Sequence, residues 1–250
     1  MGLRIEKNGH SINSVEDWLQ FAPPKKGHLQ WKDGRSAKEL AKLFLETGTP
    51  AVPPEISALL SSHGDFGAIE LLTATPEHEI ALDRFPGETR NADLAAIGAG
   101  RLGKVAVTVE AKADEAFGST LGEEVAKTSS RSNVPKRISA LTQAIFGEPS
   151  TELSSLRYQL LHGSAGSLIF AKEQGASAAV FIVLEFCGPS CKAENLQRNK
   201  NDLEFFVKAL QPDSTPIVDG RLCGPFRIPG GEFVPAGIPL FIGKAVRNVS

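Results

Sequence analysis

Lys104-Val-Ala-Val-Thr-Val-Glu110 carries three valines and a threonine in seven residues. β-Branched side chains at that density suit a pleated, buried surface and disfavour a helix. Ala178–Phe186, AAVFIVLEF, is a second run of the same kind. A chain with two such segments has to build a sheet and cover it. At 250 residues it has the means, since a domain of that size buries about three quarters of its unfolded surface. Composition agrees: 41% of residues are apolar and 22% charged, and Gly and Pro are spread along the chain without forming a tract.

The remaining segments place helices around that sheet. Residues 1–66 read as a helical extension. Val15–Phe21 is weakly amphipathic, and Ser36-Ala-Lys-Glu39 has the spacing of a capping box opening a run to Leu45 that Gly48 and Pro50 stop. A short helix is expected from Glu55 to Ser62, punctuated by His63-Gly64. Ala68–Thr73 and His78–Leu82 are short strand-like runs bounded by Pro76 and Pro86-Gly87, and Ala92–Ile97 is another strand. Helices are expected at Leu121–Thr128, at Pro135–Phe146 ended by Gly147 and Pro149, and along Leu153–Gln174, followed by Ala193–Leu210. Short strands near Arg221–Ile228 and Pro239–Ile242 complete the chain. The expectation is one α/β domain, with a core at 67–190 and a helix and short strands at 191–250.

Several functions are disfavoured. No run approaches the roughly 18 to 20 apolar residues of a bilayer span, and MGLRIEKNGHS contains no apolar signal stretch. A cytoplasmic protein without membrane contact is expected. Cys187, Cys191 and Cys223 have no paired metal-ligand spacing and form an odd set, which suggests inert packing thiols. Gly98-Ala-Gly-Arg-Leu-Gly103 spells the dinucleotide fingerprint. A strand follows it at once, so no helix N-terminus is present for a pyrophosphate, and a hairpin turn is expected. A formal charge of −2 demands no polyanionic partner, yet KTSSRSNVPKR concentrates Lys127, Arg131, Lys136 and Arg137 without an acid. Such a run is either a solvated loop or an edge that touches phosphates.

The candidate chemistry lies in Arg90-Asn-Ala-Asp93 and Val109-Glu110-Ala-Lys112. Alternate residues of a strand project to one face, so Glu110 and Lys112 are neighbours. Both are costly to bury unpaired, so they either partner each other and Asp93 or reach a cleft. Two carboxylates on adjacent strands supply the few oxygens a magnesium ion wants, and a lysine beside them can neutralise charge developing on a phosphate.

The pattern Asp93…Glu110-Ala-Lys112, in a helix, three strands, helix, strand order, resembles the PD-(D/E)XK nuclease superfamily. The stretches VEAKADEAFGSTLGE and LRYQLLHGSA are also similar to a family of uncharacterised bacterial proteins assigned to it. The resemblance implies a restriction-endonuclease-like core, a central mixed sheet flanked by helices, over residues 68–186. It implies Asp93 and Glu110 as ligands of Mg²⁺ or Mn²⁺, with the Ala111 carbonyl a further one, and Lys112 as the catalytic lysine. Gln159 is the matching polar residue on the helix after the motif strand. Ala92 stands where the superfamily's name has proline. The implied activity is metal-dependent phosphodiester hydrolysis, on DNA, in bacterial defence or restriction, with a homodimer as a plausible assembly. The alternative is a catalytically inactive nuclease-like fold that binds nucleic acid or another protein. Glu77 and Glu79 form either an extra ligand or a solvated edge; Asp114 either extends the acidic cluster or begins a loop. His162 shares a helical face with Gln159 or is simply a buried histidine.

Overall fold

The computed structural model describes residues 2–85, 89–148, 151–189 and 191–249. Pro86-Gly87 and Pro149, expected as punctuation, lie outside the described residues. The chain is an α/β protein built on an eight-stranded mixed sheet with helices on both faces. The strands are β1 (Arg4–Lys7), β2 (His10–Ser11), β3 (Glu70–Ile80), β4 (Arg90–Gly100), β5 (Gly103–Ala113), β6 (Ala178–Cys187), β7 (Leu222–Phe226) and β8 (Leu240–Asn248). Their spatial order is β2-β1-β3-β4-β5-β6-β8-β7. β3, β4 and β5 form an antiparallel meander, while β6 runs parallel to both β5 and β8.

The first layer of helices comprises α1 (Val15–Phe21), α2 (Ser36–Phe44) and α3 (Pro54–Ser61). It covers one sheet face in a core that includes Trp18, Phe44, Leu59, Val107, Val109 and Ile182. The second comprises α4 (Leu121–Ala126), α5 (Val134–Phe146), α6 (Tyr158–Glu173) and α7 (Ala193–Leu210). It packs on the other face through Leu141, Leu160, Leu168, Phe181 and Phe206. β5 is buried from Val105 to Ala113, as its valines predict, because both its faces are covered. Parallel partners need a crossover, and the helical segment α4 to α6 supplies the one between β5 and β6.

Four expectations need correction. The N-terminal extension is not wholly helical, for β1 pairs with β3 and widens the sheet. Pro76 does not divide two strands: β3 runs through it. The β1–β3 ladder reaches only Thr73 and Ala74, so the missing proline N–H falls beyond the end of that neighbour. Ser36 is not a capping residue; Arg35 holds that position without a side-chain bond, and the Glu39 carboxylate instead accepts the Gly34 N–H at 2.8 Å. The long helix expected at 153–174 is broken into a 3₁₀ turn, Thr151–Ser155, and α6. The break falls where Arg157 makes an isolated β-bridge to Thr120. The hairpin between β4 and β5 stands, with Gly100 opposite Gly103 and φ of 89° at Gly103, a conformation only glycine adopts freely.

Candidate active site

Asp93, Glu110 and Lys112 converge beside a kink in β3 and β4. In β3, Ala74 packs into one core and Ile80 into the opposite one, although an even spacing should keep them on one face. The same exchange separates Ala96 from Ala92 in β4. Between them lie Glu77, at φ 47°, and Asp93, bracketed by the Pro76–Leu94 and His78–Ala92 pairs. β4 also leaves β5 here, since its ladder ends at Leu94–Val109. The Ala111 N–H therefore has no backbone partner on that side, and the Asp93 carboxylate accepts it at 2.6 Å. Amide and carbonyl of an extended residue leave on the same side, which aims the Ala111 carbonyl at the same gap.

Glu110 and Lys112 continue the β5 face that carries Ala106 and Thr108 toward α6, where Thr108 hydrogen-bonds Ser167. Their ion pair measures 2.9 Å, with side chains only 7% and 6% exposed. Lys112 also lies 5.6 Å above the Phe117 ring. Arg90, at the start of β4, supplies a second cation: its Nη2 is 3.6 Å from Glu110 Oε2 and its Nε donates to the His162 carbonyl at 3.0 Å.

The charges set the protonation pattern. Burial, then the Glu110 and Glu77 charges, push the Asp93 carboxyl well above the usual carboxylate range. Burial acts in the same direction on Glu110, but Lys112 and Arg90 outweigh it and hold that carboxylate below its ordinary value. Burial opposes the Lys112 charge, and Glu110 and Asp93 more than restore it, leaving the pKa raised. Glu77 is lifted to about 7 by burial, against a hydrogen bond from Asn91 and the charge of Lys7. His162 drops to about 3 through burial and repulsion from Arg90, so it is neutral at neutral pH. Two carboxyls that repel each other beside one lysine make a site that would gain from a cation.

The donor set fits magnesium sparingly. Asp93, Glu110 and the Ala111 carbonyl would supply three oxygens, and magnesium keeps waters in its remaining positions. Among the described residues, no three His, Cys, Asp or Glu side chains are grouped to hold a metal ion. Two clefts flank the site. One, of about 570 Å³, is lined by Arg90, Asn91, Arg131, Arg137, Tyr158 and His162, with further residues at its rim. The other, of about 410 Å³, is lined by Lys7, Glu77 and Glu79, and shares Lys25, Thr89 and Asn91 with the first. Asp93, Glu110 and Lys112 lie behind these walls and line neither cleft.

Other sequence candidates divide. Gln159 is turned to structure: its Oε1 accepts the Gly118 N–H at 3.1 Å, fixing the loop after β5. Glu77 joins the site, while Glu79 is exposed beside Thr89. Asp114, at φ 57°, leaves the strand and accepts the Lys192 N–H at 2.9 Å and Asn195 Nδ2 at 2.9 Å. Of the basic run, Arg137 is spent on a buried pair with Asp83, Lys127 bonds Ser119, and Lys136 lies over Phe85. Arg131 alone of the four both lines the larger cleft and has its guanidinium unpaired among the described residues. Sequence reasoning gave no role to Arg90 or Asn91, nor to Lys244, which forms an ion pair with Glu185 at 2.8 Å. The available signal was a charge inside an otherwise apolar strand, as in LFIGKAV.

Fold and site thus define an α/β protein with a mixed central sheet and a buried acid–acid–lysine cluster at a strand kink. A family model, the domain of unknown function DUF6946, matches residues 11–249, and the chain belongs to that family. No curated protein and no solved structure matches it. No helix among the described residues is long and apolar enough to cross a membrane.

Proposed function

We propose that the protein is a divalent-metal-dependent nuclease with a restriction-endonuclease-like core, acting on DNA. The observation that carries this reading is the meeting of Asp93, Glu110 and Lys112 from two diverging strands, with the Asp93 carboxylate bonded to Ala111 itself. The helix, meander, helix and parallel strand order supports it.

Bound between Asp93 and Glu110, Mg²⁺ or Mn²⁺ would lower the pKa of a water and offset charge on a phosphate. This chain's own groups do the rest. Glu110 stays ionised through Lys112 and Arg90, so an anionic ligand is present at neutral pH. Lys112 is held protonated within reach of the same carboxylate, where it would stabilise negative charge on the reacting phosphate. A cation would favour the ionised form of Asp93, whose carboxyl the Ala111 N–H keeps oriented. The kink that opens β4 from β5 creates the gap in which these oxygens meet.

A second reading has its own observation. Glu110 and Lys112 are almost sealed, and the clefts stop short of them. A catalytically inactive nuclease-like fold that binds nucleic acid or a protein partner would keep the cluster as a buried polar brace. The two separate by experiment. Purified protein with Mg²⁺ or Mn²⁺ is incubated with mixed single- and double-stranded DNA and RNA. Nuclease action predicts metal-dependent cleavage that Lys112→Ala abolishes. Equally intact substrate with wild type and variant rejects the enzymatic reading, and binding without cleavage favours the other.

A further inference from the structure

We infer that Cys187 and Cys191 are a redox-active pair, which a small-molecule disulfide oxidises to an intramolecular disulfide closing the turn between β6 and α7. The inference is independent of the nuclease reading. Spacing alone suggested inert packing thiols, and such thiols are among the most buried side chains in a protein. These two are not sealed. β6 is buried up to Phe186 and opens at Cys187, and Cys191 is half-buried like it.

The backbone holds the pair from both sides. Cys187, the last residue of β6, pairs with Asn248, and its carbonyl accepts the Val249 N–H at 2.9 Å. The Gly188 carbonyl accepts the Cys191 N–H at 2.9 Å, which folds the chain back toward the strand end. Asp114 fixes the next residues, accepting the Lys192 N–H at 2.9 Å and Asn195 Nδ2 at 2.9 Å. The two thiols thereby meet. Burial, then a hydrogen bond to Cys187 and its charge, push the Cys191 thiol up to about 12, and the Asp114 and Glu185 carboxylates add to the rise. Cys223 stands apart on β7. It lies opposite Ile242, roughly 20 Å along β8 from Asn248 at about 3.3 Å per residue, far beyond disulfide reach of Cys187.

A thiolate is the attacking form, and the raised Cys191 leaves the first attack to Cys187. The Cys187 sulfur bonds to one sulfur of the external disulfide, whose S–S bond breaks and releases one thiol. The charge and hydrogen bond of Cys187 that held the Cys191 proton are then gone. Cys191 loses its proton, attacks the Cys187 sulfur and expels the second thiol. The pair gives up two protons and two electrons, and the oxidant is reduced to two thiols. The closed bond ties the start of α7 to the end of β6, beside the end of β5 that carries Lys112.

The test incubates the full chain with oxidised glutathione, quenches it in acid, unfolds and alkylates it, and weighs it by mass spectrometry. Reduced protein is expected to take three alkyl groups, one per cysteine. Oxidised protein should be alkylated at Cys223 alone. Its tryptic peptide 173–192, which holds both other thiols, should be unlabelled and lighter by two hydrogens. Cys191→Ser should stop at the mixed disulfide, with one glutathione on Cys187; if that variant does not fold, the wild-type peptide decides alone. Full alkylation after oxidation, a glutathione adduct that persists in wild type, or a disulfide through Cys223 or between two chains overturns the inference.

Discussion

Lys112 binds two arguments together, because the ammonium that would serve a phosphate also neutralises a buried acid. Removing one partner of a sealed ion pair leaves the other uncompensated, typically at about 3–5 kcal/mol. Arg90 remains near Glu110 at 3.6 Å, so Lys112→Ala is expected near the lower end, about 3 kcal/mol, by urea denaturation. A variant as stable as wild type would show that the pair is solvated. Glu77 gives a residue-scale pH prediction. Its carboxyl rises from 4.5 in the unfolded chain to about 7 in the fold. The folded state therefore binds more protons between those values, and stability falls as pH rises from about 4.5 to 7. Glu77→Gln keeps the acceptor for Asn91 and removes the charge. It should flatten that decline and raise stability at pH 8 by on the order of 1 kcal/mol, allowing for the half-open rim. A variant with the wild-type pH profile would contradict the assignment.

At the scale of elements, α6 positions the site by coming unusually close to the sheet. Gly163, Ser164, Ala165, Gly166 and Ser167 are all buried in it. A Cβ at Gly163 would meet Phe181 Cζ at 2.5 Å, and one at Gly166 would meet Arg90 Cδ at 2.6 Å. Gly163→Ala is expected to cost about 1–3 kcal/mol through overpacking, read as a lower melting midpoint. Gly166→Ala should disturb Arg90 and with it the contact to Glu110; an unshifted melt in both would mean that α6 sits further out. This close approach is poorly visible in sequence. LHGSAGS shows small residues but not what they face, and Leu153–Gln174 suggested one uninterrupted helix. β5 and β6 were legible because buried strands are β-branched throughout. Pro76 misled because its tolerance depends on how far β1 extends, which is set by tertiary pairing.

For the whole molecule, pairing one acid with Glu-x-Lys on the next strand was enough to bring Asp93, Glu110 and Lys112 into one neighbourhood. The period-two alternation of β5 fixed the last two. Arg90 and the cleft were not legible, since the coincident face exchange of β3 and β4 turns on the backbone of Glu77 and not on any residue pattern. β6 and β8 are joined on the same sheet face by Glu185 and Lys244, the latter also reaching Asp219 at 3.0 Å. That network braces β6 and β8 beside the site. The measurement that tests the account most directly is anomalous diffraction from crystals soaked in Mn²⁺. A peak between Asp93, Glu110 and the Ala111 carbonyl, at about 2.1–2.2 Å from their oxygens, is the result the account predicts. A soaked crystal with no density there, and Lys112 still closed on Glu110, would contradict it.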